Sequence, residues 1–219
     1  MPCHSYIFFD LEPSLRQLPE EALKKYKKEF IAILEHAKGI GVGAYATIGF
    51  VPNSSFVLHL RAPEAEDIQR FVQTLVRSAL GAHLHITYSL LGLVRPSQYN
   101  PHQTPEEKDF VDDAGKYLIV YPFTKTAQWH ALPFEERRAM MQEHVGIARK
   151  FGTSIRQLLL YAYGVGDHEF IVSYQCDSLP DFQTLVMELR GTRGRAYTKN
   201  DTPIFLCTHL PLSRLSDLL

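Results

Sequence analysis

Apolar residues alternate with polar ones or form continuous runs along eight short stretches of the chain, and each stretch predicts a β-strand. These strands are expected at about 4–10, 43–50, 55–60, 83–94, 116–123, 154–163, 169–175 and 203–209. Four other stretches repeat their apolar residues every three or four positions. They predict helices at about 19–37, 64–80, 133–151 and 178–190. Each half of the chain therefore has the order strand, helix, strand, strand, helix, strand.

This order is that of the ferredoxin-like split β-α-β unit, in which helices cover one face of an antiparallel sheet. The tetrapeptide QTLV occurs at 73–76 and again at 183–186, in the second predicted helix of each half. We predict an α+β fold of two ferredoxin-like repeats packed as one dimeric-type α+β barrel. The expected boundaries are 1–97 for the first repeat, 98–114 for a linker with prolines and charges, and 115–219 for the second repeat.

Composition narrows the class of protein. The chain has 219 residues, 45% of them apolar, and a formal net charge of −1. A sizeable core is possible, and the charge gives no general attraction to nucleic acid or to an anionic membrane. No stretch approaches the roughly 18 consecutive apolar residues of a membrane span, and the first residues lack the pattern of a signal peptide. Three widely spaced cysteines without a CxxC motif fit a reducing compartment. We expect a cytoplasmic protein.

The helix predicted at 133–151 carries a histidine in its apolar stripe. Met140, His144, Ile147 and Phe151 follow an i, i+4, i+7, i+11 spacing, so the imidazole should point into apolar surroundings. One interpretation is a core histidine that is satisfied by a hydrogen bond. The other is an axial ligand of a haem-type iron, because a neutral imidazole in an apolar pocket suits that metal.

Two strands of the second half present further candidates. On the strand at 116–123, Tyr121 faces the same side as Tyr117 and Ile119, and Lys125 follows just past the strand end. Trp129 comes shortly before the helix, where it either packs against the helix start or lines a flat ligand.

The strand predicted at 154–163 begins with the segment SIRQLLLY. Arg156 shares a face with Leu158, and Gln157 shares the opposite face with Leu159. Because both faces look partly buried, each of these two polar groups needs a partner.

The sequence gives the other histidines weaker indications of a chemical role. His83 and His85 could clip a metal from one strand face, but no third ligand is evident. His4 and His59 are expected as polar strand positions. No GxSxG motif and no Cys–His dyad indicates a hydrolase.

Three segments together resemble the chlorite dismutase family. They are YPFTKTAQWHALPFEERRAMMQEH at 121–144, SIRQLLLYAYGVGDHEFIVSY at 154–174 and DFQTLVMELRGTRGRAYTKNDTPIF at 181–205. The segment YSLLGLVRPSQY at 88–99 is similar to the family's approach to its linker. The resemblance is densest over about 116–206 and is closest to the coproheme decarboxylase branch. It implies a barrel of two ferredoxin-like repeats, of which the second binds a porphyrin, commonly assembled as a homopentamer.

The resemblance also implies residue roles. His144 matches the proximal iron ligand, and Gln157 matches the distal position, where members that split chlorite carry arginine. Tyr121 matches a tyrosine that becomes a radical, and Lys125 matches a partner of a porphyrin propionate. Further residues are implied on the porphyrin-binding surface, namely Trp129, Met141 and Phe123.

The implied activity belongs to haem synthesis. Hydrogen peroxide would drive oxidative decarboxylation of two propionates of iron coproporphyrin III to vinyl groups, which gives haem b. The iron porphyrin would be substrate and redox centre at once. The alternatives are a chlorite dismutase or weak haem peroxidase, and a non-catalytic haem-binding protein of the same fold.

The sequence departs from the family pattern after the segment ELR. Gly191 and Arg193 stand where an acidic residue would support the proximal histidine, which predicts a weaker, less electron-donating ligand. Gly194 replaces a serine that contacts a propionate in some decarboxylases. Arg190, Arg193 and Arg195 are candidate carboxylate partners without assigned roles.

Overall fold

The computed structural model describes residues 2–99, 110 and 115–219. Its first repeat contains β1 (Cys3–Leu11), α1 (Glu20–Glu35), β2 (Gly41–Ala46), β3 (Phe56–Ala62), α2 (Ala65–Arg77) and β4 (Leu84–Leu93). The second repeat contains β5 (Tyr117–Lys125), α3 (Ala127–Ala131), α4 (Phe134–Arg149), β6 (Ile155–Tyr161), β7 (Phe170–Cys176), α5 (Leu179–Arg190), β8 (Thr198–Asn200), β9 (Phe205–His209) and α6 (Leu212–Leu218). Short 3-10 helices lie at Pro13–Gln17, Gly81–His83 and Arg193–Tyr197.

The eight predicted strands and four predicted helices are confirmed, with ends that differ by a few residues. The sequence patterns did not predict α3, β8 and α6, which are too short to show a clear hydrophobic period. The linker expected at 98–114 lies outside the described residues except at 98, 99 and 110, so the boundaries between the repeats stay predictions.

Each repeat arranges its four main strands in the same antiparallel order. The order is β4–β1–β3–β2 in the first repeat and β9–β5–β7–β6 in the second. Between the repeats, β2 pairs with β9 at Tyr45↔His209 and Ala46↔Thr208, and β4 pairs with β6 at Leu93↔Tyr161. The eight strands thus close into a barrel without open edges, and β8 adds to the end of β5. The predicted α+β barrel is confirmed.

The closure between β4 and β6 depends on a glycine. One register pair, Leu93↔Tyr161, joins these two strands within the described chain. Beside it, a Cβ atom at Gly92 would lie only 2.6 Å from the Cβ of Leu160. Glycine permits this approach because it has no side chain.

Side chains on the two faces of the barrel wall form separate cores, as strand alternation requires. The barrel interior is filled by residues such as Phe8, Tyr45, Leu118 and Leu160. Outside the wall, α1 and α2 cover the first repeat, and α4 and α5 cover the second. The three cysteines are buried with free thiols, as expected of small core residues. No described helix is long and apolar enough to cross a membrane.

His4 and His59, which we expected as ordinary polar strand positions, are fully buried inside the barrel. His4 Nδ1 lies 2.9 Å from His59 Nε2, and the His59 ring stacks on Tyr6 with 4.2 Å between centroids. Their other ring nitrogens have no hydrogen-bond partner among the described residues. Burial lowers the pKa of both imidazoles, that of His4 to about 4, and the Arg61 cation lowers them further. The pair is therefore neutral at physiological pH.

Candidate functional site

The strands of the two repeats pair in the same order and register, so residues on their helix-covered faces can be matched position by position. Phe9 pairs with Phe56 in the first repeat, and Phe123 pairs with Phe170 in the second. Both pairs stack, with ring centroids 5.1 Å and 4.7 Å apart. From this register, the apolar residues Ile7, Leu11, Val42 and Leu60 correspond to Tyr121, Lys125, Gln157 and Tyr174. The second repeat is polar where the first is apolar.

The first long helix of each repeat extends this correspondence. Both α1 and α4 have 16 residues and a proline at the N-cap, Pro19 and Pro133. Proline suits a helix start because its fixed φ is compatible with the first turn and it has no N–H to satisfy there. Eleven residues after each proline stand Phe30 and His144. Phe30 is fully buried in the first core, so His144 occupies the helix position of a core phenylalanine.

His144 is partly buried on α4, in the stripe with Met140 and Ile147. Its imidazole has no hydrogen-bond partner in the part of the chain that the structure describes. Burial lowers its pKa, and the cation of Lys125 lowers it further. The ring is therefore neutral at physiological pH, with a nitrogen lone pair that can bind a metal.

Arg156 and Gln157 point to opposite sides of β6. Arg156 lies with Leu158 on the barrel side, and its Nη2 donates to Gln175 Oε1 at 2.8 Å. Gln157 lies with Leu159 on the helix-covered side, yet its side chain is exposed. An exposed residue on this face means that the helices leave part of the sheet uncovered beside it.

Lys125 is the last residue of β5, whereas the sequence pattern placed it just past the strand end. Its Nζ donates to the carbonyl oxygen of Gly194 at 3.1 Å and to Thr198 Oγ1 at 3.3 Å, and it lies 4.5 Å from the centre of the Trp129 ring. Burial and the neighbouring Arg195 lower the pKa of Lys125 to about 8. The ammonium group is therefore charged at neutral pH but loses its proton easily.

Trp129 lies beneath Lys125 in α3. It is 3% exposed, and its backbone N–H donates to Oγ1 of the N-cap residue Thr126 at 3.3 Å. The ring also packs against Tyr197 with 5.8 Å between centroids. This placement is that of a residue that packs at a helix start. Trp129 contributes to the candidate site by the contact of its ring with the Lys125 ammonium.

A group of charged side chains follows α5. Asp201 accepts ion pairs from Arg190 at 2.9 Å and Arg195 at 3.4 Å. The Nη1 atom of Arg195 is buried and makes no hydrogen bond to any described residue. Arg193 instead pairs with Glu143 at 2.9 Å. Two of the three candidate arginines thus share an ion pair with Asp201, and the third pairs with Glu143 of α4.

Tyr121 faces this charged group from β5. Burial raises its pKa, and the charge of Asp201 adds to that effect while Arg190 and Arg195 oppose it. The other residues expected at the porphyrin-binding surface lie nearby: Phe123 is partly buried on the same strand face, and Met141 is partly buried on α4.

Tyr174 on β7 is a polar residue of this layer that the sequence reasoning missed. Its ring lies 6.2 Å from that of Tyr121, with the two planes 27° apart. Tyr174 alternates with Ser173 and Gln175 and shares its strand face with Val172 and Cys176, so the sequence pattern marks it as a core residue and not as a site residue. The mismatch with Leu60 in the first repeat is the signal that identifies it.

The histidines considered for a metal clip lie elsewhere. His83 is in a 3-10 helix with its Nδ1 2.9 Å from Ser14 Oγ, and His85 Nε2 lies 2.7 Å from Glu12 Oε1. They do not share a strand face, because β4 begins after His83. No group of three or more His, Cys, Asp or Glu side chains that could hold a metal ion occurs among the described residues.

Comparison with known proteins identifies relatives of the whole barrel. The chlorite dismutase family model matches residues 21–210. A coproheme decarboxylase from Mycolicibacterium smegmatis is 31% identical over 182 residues, which are 81% of this chain and 77% of that protein. A chlorite dismutase from Ideonella dechloratans is 25% identical over 196 residues, or 85% and 69% of the two chains. The crystal structure of a mutant chlorite dismutase from Candidatus Nitrospira defluvii matches with a TM-score of 0.90 at 26% identity, covering 99% of this chain and 94% of that one.

Proposed function

Because the chain belongs to the chlorite dismutase family, we propose that it binds an iron porphyrin between the sheet and helices of its second repeat and decarboxylates iron coproporphyrin III with hydrogen peroxide. The observation that carries this proposal is the replacement of a core phenylalanine by His144, together with Tyr121, Gln157 and Lys125 on the helix-covered face of the same repeat. The identity of 31% to a coproheme decarboxylase supports the same reaction.

The residues present fit an iron porphyrin. The neutral imidazole of His144 has no hydrogen bond to a described residue and is therefore available as an iron ligand. Apolar and aromatic side chains such as Phe123 and Leu159 are only partly buried and can contact a flat macrocycle. Cations at the edge of this surface can receive its carboxylates.

In this proposal His144 of α4 would hold the iron, and Gln157 of β6 would face the same pocket. The bound iron porphyrin would supply the two-electron oxidising power of peroxide. His144 has no carboxylate partner among the described residues, because Arg193 draws Glu143 into an ion pair. We therefore expect the weak, less electron-donating ligand that the sequence predicts.

Tyr121 would relay the oxidation to the propionate. Its phenol gives up one electron and one proton, and the resulting tyrosyl radical takes a hydrogen atom from the propionate carbon next to the ring. Loss of a second electron and of CO2 leaves a vinyl group. For each propionic acid, one hydrogen peroxide is reduced, so the products are a vinyl group, one CO2 and two waters. Burial suits Tyr121 to this role, because it excludes water from the radical.

Lys125 and Arg195 would hold the carboxylate that reacts. The ammonium of Lys125 is fixed by two hydrogen bonds and the Trp129 ring, so that little side-chain freedom remains to be lost. Arg195 has a buried Nη1 that lacks a hydrogen bond to the described chain, and a carboxylate oxygen would satisfy it. Asp201 would orient both Arg190 and Arg195, since its Oδ2 lies 2.9 Å from Arg190 Nη2 and 3.4 Å from the same Nη1 of Arg195.

The uncharged Gln157 favours decarboxylation over chlorite chemistry. A cation at this position can hold an oxyanion near the iron, and an amide cannot do so as strongly. The neighbouring Arg156 does not provide that cation, since its guanidinium is hydrogen-bonded to Gln175 inside the barrel. A chlorite dismutase remains the second candidate because a member with that activity is 25% identical.

The decisive experiment loads the protein with iron coproporphyrin III, adds hydrogen peroxide and follows the porphyrin by mass spectrometry. Stepwise loss of two carboxyl groups supports the proposal. Intact porphyrin together with oxygen release from chlorite would establish the dismutase instead. Tight binding without either reaction would establish a haem-binding protein, and no binding at all would overturn the site. The variant Tyr121→Phe should bind the porphyrin but fail to decarboxylate it.

A further inference from the structure

Glu169 joins the end of β5 to the helix α3 that follows it. Its Oε2 accepts the backbone N–H of Lys125 at 2.8 Å, and its Oε1 lies 2.8 Å from Nε2 of His130. The ammonium of Lys125 lies 4.5 Å from the centre of the Trp129 ring, and His130 directly follows Trp129 in α3. One carboxylate therefore contacts both the strand that carries the ammonium and the helix that carries the indole.

The backbone N–H of Lys125 needs a side-chain partner because β7 does not extend far enough to pair with it. The register between β5 and β7 ends at Phe123↔Phe170, two residues before Lys125. A backbone N–H that the neighbouring strand does not reach has to be satisfied in another way. Glu169 directly precedes β7, and its carboxylate accepts this N–H. Because a charged acceptor makes a stronger hydrogen bond than a neutral one, the end of β5 is held firmly.

The first repeat satisfies the equivalent N–H without a carboxylate. Leu11 corresponds to Lys125, and its N–H donates to Ser55 Oγ at 3.3 Å. Ser55 corresponds to Glu169, since they directly precede β3 and β7. A hydroxyl is thus sufficient where the strand ends in an apolar residue. The carboxylate occurs in the repeat where the leucine is replaced by a lysine, so its charge and its second oxygen serve more than the backbone N–H.

We propose that Glu169 is a positioning residue for the Lys125 ammonium. Its two oxygens hold β5 and α3 together, which keeps Lys125 Nζ over Trp129, where the substrate carboxylate would bind. The charge of Glu169 also opposes the fall in the pKa of Lys125 that burial and Arg195 cause. This inference rests on the proposed function for the carboxylate-binding role of Lys125, while the contacts of Glu169 do not depend on a bound porphyrin.

The junction of β5 and α3 is tested first on the porphyrin-free protein. Trp129 is the only tryptophan of the chain and is 3% exposed, so its fluorescence reports on this junction alone. Glu169→Ala should shift the emission to longer wavelength and increase quenching by acrylamide, because strand and helix separate and admit water. Glu169→Gln should keep the wild-type emission, since an amide offers one acceptor and one donor. Ser55→Ala removes the equivalent contact of the first repeat and should also leave the emission unchanged.

Identical emission and quenching in Glu169→Ala and wild type would overturn the inference. If Glu169→Ala does not fold, His130→Ala removes the contact with α3 alone and should give the same shift in emission. The wild-type emission in His130→Ala would then overturn the inference instead.

The positioning role is tested by absorption titration with iron coproporphyrin III. Glu169→Ala should raise the porphyrin Kd by roughly three- to tenfold, because the ammonium is no longer held in place before binding. In the Lys125→Leu background the same substitution should change the Kd less than about twofold, since the group that it positions is absent. An equal rise in both backgrounds would mean that Glu169 only stabilises the fold, and no rise in either would also overturn the role. If wild-type protein binds no iron porphyrin, the proposed function fails, and the fluorescence comparison still decides whether Glu169 holds β5 and α3 together.

Discussion

The two repeats share strand order and helix layout, but the layer under their helices differs in polarity. Under its helices, the first repeat buries Phe30, Leu58 and Leu60 in a continuous apolar core. The second repeat has His144 and Tyr174 at two of these positions. Inside the barrel both repeats place polar groups. The buried pair His4 and His59 of the first repeat corresponds to Leu118 and Ser173 in the second. The second repeat places Arg156 and its partner Gln175 there.

This difference shows that the backbone arrangement leaves the location of a site open. The same sheet and the same 16-residue helix support a closed core in one repeat and a partly open, polar layer in the other. A few side chains at matching positions make the distinction. A substitution that gives one repeat the residue found at the equivalent position of the other therefore tests directly whether the second repeat contains the site.

The largest effect is expected for His144→Phe, which installs the residue of position 30. The iron porphyrin should lose its axial ligand, so the five-coordinate ferric absorption spectrum and peroxide-dependent turnover should both disappear. The porphyrin-free protein should become more stable by about 1 kcal/mol, because an apolar ring replaces an imidazole without a hydrogen bond. Absorption titration and urea unfolding measure the two effects. The reciprocal variant Phe30→His should lose about 3 kcal/mol of stability but keep the ferric spectrum. An unaltered ferric spectrum in His144→Phe would exclude this residue as the ligand.

The second largest effect concerns acid stability and the buried pair of the first repeat. The unfolded chain takes up a proton at His4 near pH 6.5, whereas the folded chain accepts it only at about pH 4. Stability is therefore full above pH 6.5, and His4 alone should lower it by about 3 kcal/mol as the pH drops toward 4. Because burial also lowers the pKa of His59, its protonation acts in the same direction. Urea unfolding between pH 7 and pH 4 measures this slope.

Replacement of the pair by the residues of the second repeat, His4→Leu with His59→Ser, should flatten the acid dependence. The exposed His36 provides the control, since His36→Asn should leave the slope as it is in the wild type. A double variant with the full wild-type slope would assign the acid sensitivity to other groups.

A smaller effect is expected for Lys125→Leu, which installs the residue of position 11. Loss of a charge-assisted hydrogen bond should weaken binding of iron coproporphyrin III by about tenfold at pH 7. In the wild type the affinity should fall as the pH rises through about 8, because Lys125 loses its proton there. In the variant this pH dependence should vanish. Absorption titrations between pH 6 and pH 9 provide the comparison, with the exposed Lys116→Leu as control. Equal affinity and equal pH dependence in Lys125→Leu and wild type would remove Lys125 from the carboxylate site.

The smallest effect is expected for Gln157→Val, which installs the residue of position 42. Valine has the higher strand propensity, but the position is exposed, so the free energy of unfolding should rise by only about 0.5 kcal/mol. The reciprocal Val42→Gln should lower it by about 1 kcal/mol because that position is partly buried. Urea unfolding of the porphyrin-free variants measures both. A large loss of stability in Gln157→Val would mean that the amide holds the second repeat together.

Hydrophobic periodicity was sufficient for the strands, the long helices and the barrel, because burial of one face imposes a regular spacing on the sequence. It also singled out His144, since a polar residue in an apolar stripe is conspicuous. The buried contact of His4 with His59 joins positions 55 residues apart, so it depends on the register of β1 and β3. No local pattern encodes that register.

Two parts of the site escaped prediction for different reasons. Tyr174 shares its face of β7 with Val172 and Cys176, so the sequence predicts an ordinary core residue there. Arg190, Arg193 and Arg195 were equivalent as candidates in the sequence. The path of the chain after α5 separates them, because it brings Asp201 to two of them and Glu143 to the third.

The glycine at the meeting of β4 and β6 ties the geometry of the site to the half of the protein that carries none of its residues. A methyl group at position 92 would collide with Leu160 and push β6 outward. Gln157 is on the same strand, so its amide would move relative to any metal that His144 holds. In the proposed porphyrin site, the distance between Gln157 and His144 would thus depend in part on the absence of a side chain at Gly92.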